Sequence, residues 1–244
     1  MNGLIHKQEF IRLLANYHLS AKGAELVSQI QLVLLTGPTA SGRNTVINEL
    51  VKQGGYHFLV SDTTRQPRIN DGKLESDGVE YHFRCETDMI EDIKKGAYLE
   101  VELIHGVQVS GISLRELEAA KTAGLIPIND VDLGGLMNIT RIKPDTVGII
   151  LLPSSFDSWL ERLKNRGVMS QDEMMKRMGT GLRIYLTTAQ TAGTAVIVND
   201  DLETAVKEVD NIVHGRQRPN NDNRLLAKEL ADQTKIFLNN VSEG

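Results

Sequence analysis

Gly37 and Gly42 stand five apart, and Arg43, Asn44 and Thr45 follow directly. This is the spacing of G-x-x-x-x-G-K-[ST], a loop whose backbone N–H groups converge on one spot and cradle phosphate oxygens. Arg43 takes the lysine position and Asn44 the position of the hydroxyl residue. Phosphoryl transfer spreads negative charge over several oxygens, so it calls for cations arriving from separate segments. Arg43 lies in the loop, Arg65 and Arg68 in a polar stretch, and Arg177 on a later helical segment. Arg162 and Arg166 are four apart and so share one helix face. The planar fork of arginine suits phosphate better than a point charge does. Singly, each of these reads as a solvated surface residue; beside a glycine loop they read as a phosphate-binding set.

Carboxylates supply the complementary chemistry. Asp130 and Asp132 fall at and just past the end of an expected strand, the crevice side of an open α/β sheet. There they can reach a metal or a base edge, or cap a helix. Glu100 and Glu102 alternate along a strand and share a face. A carboxylate on such a face can accept from a ring N–H and an exocyclic amine, the pair that guanine presents.

The elements that must hold these groups follow from periodicity. A short apolar run at 32–36 reads as the first strand, and 45–53 as the helix after the loop, stopped by Gly54-Gly55. A second strand is expected at 57–60. Residues 79–83 alternate as a half-buried strand, with packing as the plain reading of Tyr81 and Phe83, and 87–95 are helical. Residues 98–104 and 107–110 flank His105-Gly106 as a hairpin. A helix at 113–123 leads to a strand at 125–130, although Pro127 is awkward in a central strand. The apolar run 147–152 reads as a buried parallel strand. Helices follow at 155–166 and 172–190, the second interrupted by Gly179 and Gly181; 195–198 is the last strand, with a helix to about 213. Residues 1–30 read as one or two short helices with Phe10, Ile11, Leu13 and Leu14 as an apolar stripe and Ser20 as a cap. A polar linker at 215–223 precedes a short amphipathic helix at 224–238. Strands alternating with helices give a parallel-sheet α/β fold.

Bulk properties narrow the function classes. The 244 residues carry a net charge of -5, with 41% hydrophobic and 24% charged residues. That argues against non-specific nucleic-acid binding. Cys85 is the one cysteine, which excludes an internal disulfide or a cysteine metal cluster, and nothing beside it in sequence reads as an activating base. No stretch approaches the apolar length of a membrane span, and residues 1–30 do not read as a signal sequence. The expectation is a cytoplasmic protein with no membrane or nucleic-acid partner, monomeric or homodimeric.

Several segments, in order over most of residues 31–213, resemble the guanylate kinase family. Ser61-Asp62-Thr63-Thr64-Arg65-Gln66-Pro67-Arg68 is similar to its S-x-T-T-R-x-P-R stretch, and Gly78-Val79-Glu80-Tyr81-His82-Phe83 to its G-x-x-Y-x-F strand. Leu99-Glu100 with His105-Gly106 resembles its L-E…H-G hairpin, and Asp130-Val131-Asp132 with Gly135 its D-I-D-x-Q-G. Pro153-Ser154-Ser155 to Arg166-Gly167 resembles its P-P-S…R-L-x-x-R-G helix, and Val196 to Leu202 its closing V-I-V-N-D-D-L.

The resemblance implies a P-loop NTPase-type parallel sheet flanked by helices, a mostly antiparallel GMP-binding insertion at 61–110, and a helical lid at about 162–178. The core would be 31–60 and 111–213, with 1–30 as an N-terminal helical extension and 214–244 as a polar linker and helix. By the same resemblance Arg65, Arg68 and Tyr81 would hold the acceptor phosphate, and Ser61, Glu100 and Asp132 would read guanine. ATP would sit on Gly37, Thr39, Ala40, Ser41, Gly42, Arg43, Asn44 and Thr45, with Asn199 beside its base. Asp130 and Asn44 would lie near Mg2+. Arg162, Arg166 and Arg177 would close over the donor phosphates.

The departures are Arg43-Asn44 in the loop, a longer 69–78 segment, Ile184 near the place of a family glutamate, and the loss of the hairpin tyrosines after His105-Gly106. The second base-reading hydroxyl is left as Ser110 or Ser113. The implied reaction is ATP + GMP to ADP + GDP. The alternatives are an inactive module of this fold that binds a protein or phosphopeptide, and a kinase with a changed acceptor.

Overall fold

The structure is a computed structural model that describes residues 3–70, 72–165, 167, 169–190, 194–218, 220 and 223–242, excepting the side chains of Asn70 and Ser242. In chain order, α1 (Lys7–Ala15) and α2 (Ala21–Ser28) precede β1 (Val33–Thr36), α3 (Arg43–Gln53) and β2 (Tyr56–Phe58). Short strands follow: β3 (Asp62–Thr63), β4 (Ile69–Asn70), β5 (Lys73–Leu74) and β6 (His82–Phe83). Then come α4 (Glu86–Lys94), the hairpin β7 (Tyr98–Ile104) and β8 (Gln108–Ser113), α5 (Leu114–Ala123), β9 (Ile126–Asp130) and α6 (Leu133–Ile142). The last part holds β10 (Val147–Pro153), α7 (Phe156–Lys164), α8 (Gln171–Gln190), β11 (Ala195–Asn199), α9 (Leu202–Val213) and α10 (Asn223–Ser242).

A five-stranded sheet runs in the order β11-β10-β1-β9-β2. β1 pairs parallel with β9 and β10, and β10 with β11. β1 is buried along its whole length, and the sides of β10 and β11 are nearly so, which is why they read as apolar runs rather than alternating ones. Pro127, which has no N–H to give a ladder, lies just before the β1–β9 register, which starts at Ile128. The proline therefore costs that pairing nothing.

The chain divides into two compact units: Met1–Gln31 with Gly55–Pro127 and Arg141–Pro144, and Leu32–Gly54 with Ile128–Thr140 and Asp145–Gly244. In the first, a four-stranded sheet has the order β6-β3-β8-β7, and β4 and β5 form a separate hairpin. Phe10, Met89, Ile90, Ile93, Tyr98, Val101 and Val109 form its core cluster. Ser20 caps α2 by accepting from the Gly23 N–H at 3.1 Å. Of the expected stripe on α1, Phe10 is buried whereas Ile11 faces outward.

In the second unit α8 is continuous, against the expected interruption at Gly179 and Gly181. Gly181 is there because Trp159 is packed on it: a Cβ would come within 2.4 Å of the indole ring. Trp159 is fully buried and stacks edge-on against Tyr185. α10 docks, burying Ala227, Leu230 and Ala231 beside α8; its Arg224 donates to the carbonyls of Thr188 and Thr194 at 2.7 and 2.6 Å. Two details differ from expectation in the smaller elements. α6 carries no strong sequence signal because Gly134 and Gly135 open it. The strand expected at 79–83 shrinks to His82–Phe83, since the Asp77 carboxylate accepts from the Phe83 N–H and holds 76–81 as a turn.

Candidate functional site

The loop after β1 is built by backbone shape. Gly37 and Gly42 have φ of 154° and 92°. A Cβ on Gly37 would lie 2.4 Å from the Leu151 carbonyl oxygen, and one on Gly42 would lie 2.2 Å from Asn199 Nδ2. Only glycine fits the second position, where left-handed backbone and a close neighbour coincide. Ala40 also adopts positive φ, 67°, a strained choice of the kind that persists where the surroundings over-determine it. Those surroundings are visible. Trp159 Nε1 donates to the Thr39 carbonyl at 2.8 Å, and Asn199 Nδ2 donates to the Ser41 carbonyl at 2.8 Å. Arg162 Nη1 in turn donates to the Asn199 carbonyl at 2.9 Å.

α3 starts at Arg43 with no side-chain cap, so its first N–H groups and positive dipole end face the loop. Ser41 Oγ is buried without a hydrogen-bond partner among the described residues, as is Thr36 Oγ1. A cleft of about 470 Å³ lies against this surface, lined by Ala40, Ser41, Gly42, Arg43, Asn44, Thr45, Arg162, Asn165, Asn199, Asp200 and Leu202. Glycine cradle, uncapped helix start and two arginines are chemically suited to meet a polyanion. Asn165, Asp200 and Leu202 were not singled out from sequence. Their signal was the register of the helix holding Arg162 and of the turn after Asn199.

Arg43 does not point away from the sheet. Its Nη1 donates to the Val131 carbonyl at 3.2 Å and lies 3.5 Å from Asp130 Oδ2. Asp132 accepts from the Gly135 N–H at 2.7 Å and so caps α6 with one carboxylate oxygen. Arg177 pairs with Glu173 one turn earlier on α8 and is not among the residues lining the cleft. Arg166 lies outside the described residues. Among the described residues no group of three or more His, Cys, Asp or Glu is arranged to hold a metal ion.

In the first unit, the 61–68 stretch places Arg65 and Arg68 within reach of one carboxylate, Glu75. Arg65 is gripped end-on by Glu75, with Nη2 donating to Oε1 at 2.8 Å and Nη1 to Oε2, while Nη1 also donates to the Gln66 carbonyl at 3.0 Å. Glu75 further accepts from the Arg68 N–H at 2.9 Å. The Arg65 guanidinium lies 4.5 Å from the Tyr81 ring centroid and 5.6 Å from that of Phe83, a cation–π arrangement. Its side chain is about one-tenth exposed and that of Glu75 still less. The Glu75 contact holds the Arg65 pKa above its ordinary value. A guanidinium has five N–H donors, so this grip orients Arg65 without exhausting it. Arg68 Nη2 donates to Gln108 Oε1 at 3.2 Å. Glu75 was missed from sequence because the lengthened 69–78 segment moves it ten residues past Arg65.

Strand register sorts the serines. Glu100 pairs with Ile112, Glu102 with Ser110, and Ile104 with Gln108, so these side chains share one face. Ser110 Oγ donates to Thr63 Oγ1 at 2.8 Å. Ser113 lies on the opposite face, buried, with its hydroxyl unpaired among the described residues. Ser110 is therefore the serine on the Glu100 face, and the residue directly beside Glu100 is the apolar Ile112. Ser61 precedes β3, and its carbonyl accepts from the His82 N–H at 2.9 Å, next to Tyr81.

The guanylate kinase family model matches residues 29–216. The guanylate kinase of Corynebacterium diphtheriae is 37% identical over 189 residues, covering 77% of this chain and 96% of that one. That of Mycobacterium leprae is 34% identical, covering 79% and 90%. The crystal structure of guanylate kinase from Anaplasma phagocytophilum aligns with a TM-score of 0.56 at 22% identity, over 77% of this chain and 86% of that chain; at that identity it speaks to the fold. The glycine loop, the arginines and the 61–68 stretch all fall within the matched residues 29–216: the chain belongs to the guanylate kinase family.

Proposed function

We propose that this chain transfers the γ-phosphoryl group of ATP to GMP, giving ADP and GDP. The observation that carries the reading is the cleft over the glycine loop, where an uncapped helix start, Arg43 and Arg162 line the same space. ATP phosphates would lie on Gly37, Thr39, Ala40, Ser41, Gly42, Arg43, Asn44 and Thr45, with Asn199 beside the base. Arg65, Arg68 and Tyr81 would bind the GMP phosphate, with Glu75 keeping Arg65 aimed. Ser61, Glu100 and Asp132 would read guanine, and Ser110 would serve as the neighbouring hydroxyl.

Residues 61–110 form the acceptor-binding part in this reading and residues 162–178 the lid. Transfer through a loose, in-line transition state places charge on the equatorial oxygens, and cations there do most of the catalytic work. Arg43, Arg162, Arg166 and Arg177 supply them. Asn44 and Asp130 would hold Mg2+, which would offset the negative charge of the phosphates. The carbonyl of Asn44 is a competent oxygen ligand, so the loss of the usual hydroxyl leaves a donor in place.

No helix among the described residues is long and apolar enough to cross a membrane, and we place this activity in the cytoplasm. Product identification tests the reading. Purified protein with ATP, Mg2+ and GMP should yield GDP and ADP in equal amounts; protein that binds GMP yet forms no GDP contradicts it.

A further inference from the structure

Tyr17 lies in the link between α1 and α2, outside residues 29–216 that match the family. Its phenol oxygen accepts from the Tyr98 N–H at 2.7 Å and donates to the Tyr98 carbonyl at 2.5 Å. β7 is an edge strand of its sheet, so one side of its backbone has no strand to pair with. The β7–β8 register also slips between Tyr98 and Glu100, and such an irregularity leaves backbone groups that need other partners. One hydroxyl, with one donor and a lone pair, satisfies both groups of Tyr98. Burial pushes the Tyr17 pKa up to about 12, which keeps the phenol protonated and able to donate at neutral pH.

The other end of Tyr98 reaches the acceptor stretch. Its phenol donates to Asp62 Oδ2 at 2.7 Å. Asp62 is fully buried and is gripped by Arg115 Nη2 at 2.9 and 3.0 Å. Asp62 adjoins Ser61 and lies three residues before Arg65, whereas Glu100 lies two residues after Tyr98 on the strand that Tyr17 holds. Tyr98 thus ties together the two segments proposed to read the base, and Tyr17 fixes its backbone.

We propose that Tyr17 is a positioning residue for acceptor binding: by pairing both backbone groups of Tyr98 it sets the place of Glu100 on β7 and, through the Tyr98–Asp62 hydrogen bond, of Ser61 just before β3. The role rests on the proposed reading of Ser61 and Glu100 as guanine contacts.

The test is Tyr17→Phe, which keeps the ring and removes only the hydroxyl. Both hydrogen bonds to Tyr98 are lost, and GMP affinity by calorimetry and KM for GMP should weaken about fivefold. The kcat at saturating GMP and KM for ATP should stay within about twofold. Unchanged GMP affinity overturns the proposal, as does an equal rise in both KM values, which would signal general loosening. If Tyr17→Phe does not fold, Tyr98→Phe carries the same test: it cuts the arm to Asp62 alone and should show the same split between GMP and ATP. Wild-type protein that turns over GMP beside an indistinguishable variant overturns only the positioning role. Wild-type protein that neither binds nor phosphorylates GMP overturns the proposed function, and this role with it.

Discussion

Arg43, in the glycine loop, and Asp130, at the end of β9, form an ion pair with Nη1 3.5 Å from Oδ2. Both side chains are about one-quarter exposed, and such pairs contribute roughly 0–1 kcal/mol. An incoming phosphate can therefore take Arg43 at little cost. Arg43→Ala should lower kcat about a hundredfold, the scale of losing one preorganised charge at a developing oxyanion, while the thermal midpoint moves little. Arg43→Lys, which restores a point charge at the same place, should retain most of the activity. Steady-state kinetics beside a melt would separate the two effects, and a large stability loss in Arg43→Ala would contradict the weak-pair reading.

Glu75 is the buried partner of Arg65. Removing its charge leaves a largely buried guanidinium uncompensated, which costs on the order of 3–5 kcal/mol when a buried pair is broken. Glu75→Gln should lower stability in urea and raise the KM for GMP at least about tenfold, with the KM for ATP nearly unchanged. Equal changes in both KM values would deny Glu75 its specific hold on the acceptor arginine.

Gly42→Ala tests the loop. Left-handed backbone and a Cβ placed 2.2 Å from Asn199 Nδ2 require Asn199 to release the Ser41 carbonyl. A loss of roughly 1–3 kcal/mol is expected from strain and overpacking, together with a higher KM for ATP. Denaturant unfolding and ATP titration would show both.

Glu116 links three parts of the first unit: it accepts from the Val60 N–H at 3.1 Å and faces His57 Nε2 at 3.1 Å and His82 Nε2 at 3.0 Å. Burial raises its pKa, but the contacts from His82, Val60 and His57 together outweigh burial and hold it below the ordinary value of 4.5. A carboxylate with a depressed folded pKa stabilises the fold above its unfolded pKa, and that contribution is lost as pH falls through the folded pKa. Wild-type stability should therefore drop on acidification below about pH 4.5. Glu116→Gln should be less stable at pH 7 and show a shallower acid slope, measured by urea unfolding across pH 3–7.

Much of the fold can be read from residue order, and particular residues explain the rest. β1, the loop and α3 are announced by an apolar run broken at Gly37 and Gly42, and β10 and β11 by continuous apolar residues. α8 is announced too, but its continuity is not, because the reason for Gly181 is Trp159, more than twenty residues away in sequence. α6 is hidden by Gly134 and Gly135, and only the Asp132 carboxylate accepting from the Gly135 N–H shows where it starts. Within the site, arginine positions follow from motif spacing, but their partners do not. Glu75 reaches Arg65 across a hairpin, and the choice between Ser110 and Ser113 depends on strand alternation, which a one-residue uncertainty inverts. Tyr17 has no motif at all, since its hydroxyl answers to the backbone of Tyr98 rather than to any side-chain pattern.

The most direct measurement is ADP release by the purified protein with ATP and Mg2+, run separately against GMP, AMP, CMP, UMP and dGMP. Turnover strongest with GMP, collapsing in Arg65→Ala and Arg177→Ala, is the expected result and would mean that Arg43-Asn44 is a working form of the phosphate loop. No turnover with any acceptor, while GMP or a phosphopeptide still binds, would contradict a kinase and leave the Arg65–Arg68 surface as a site of phosphate recognition.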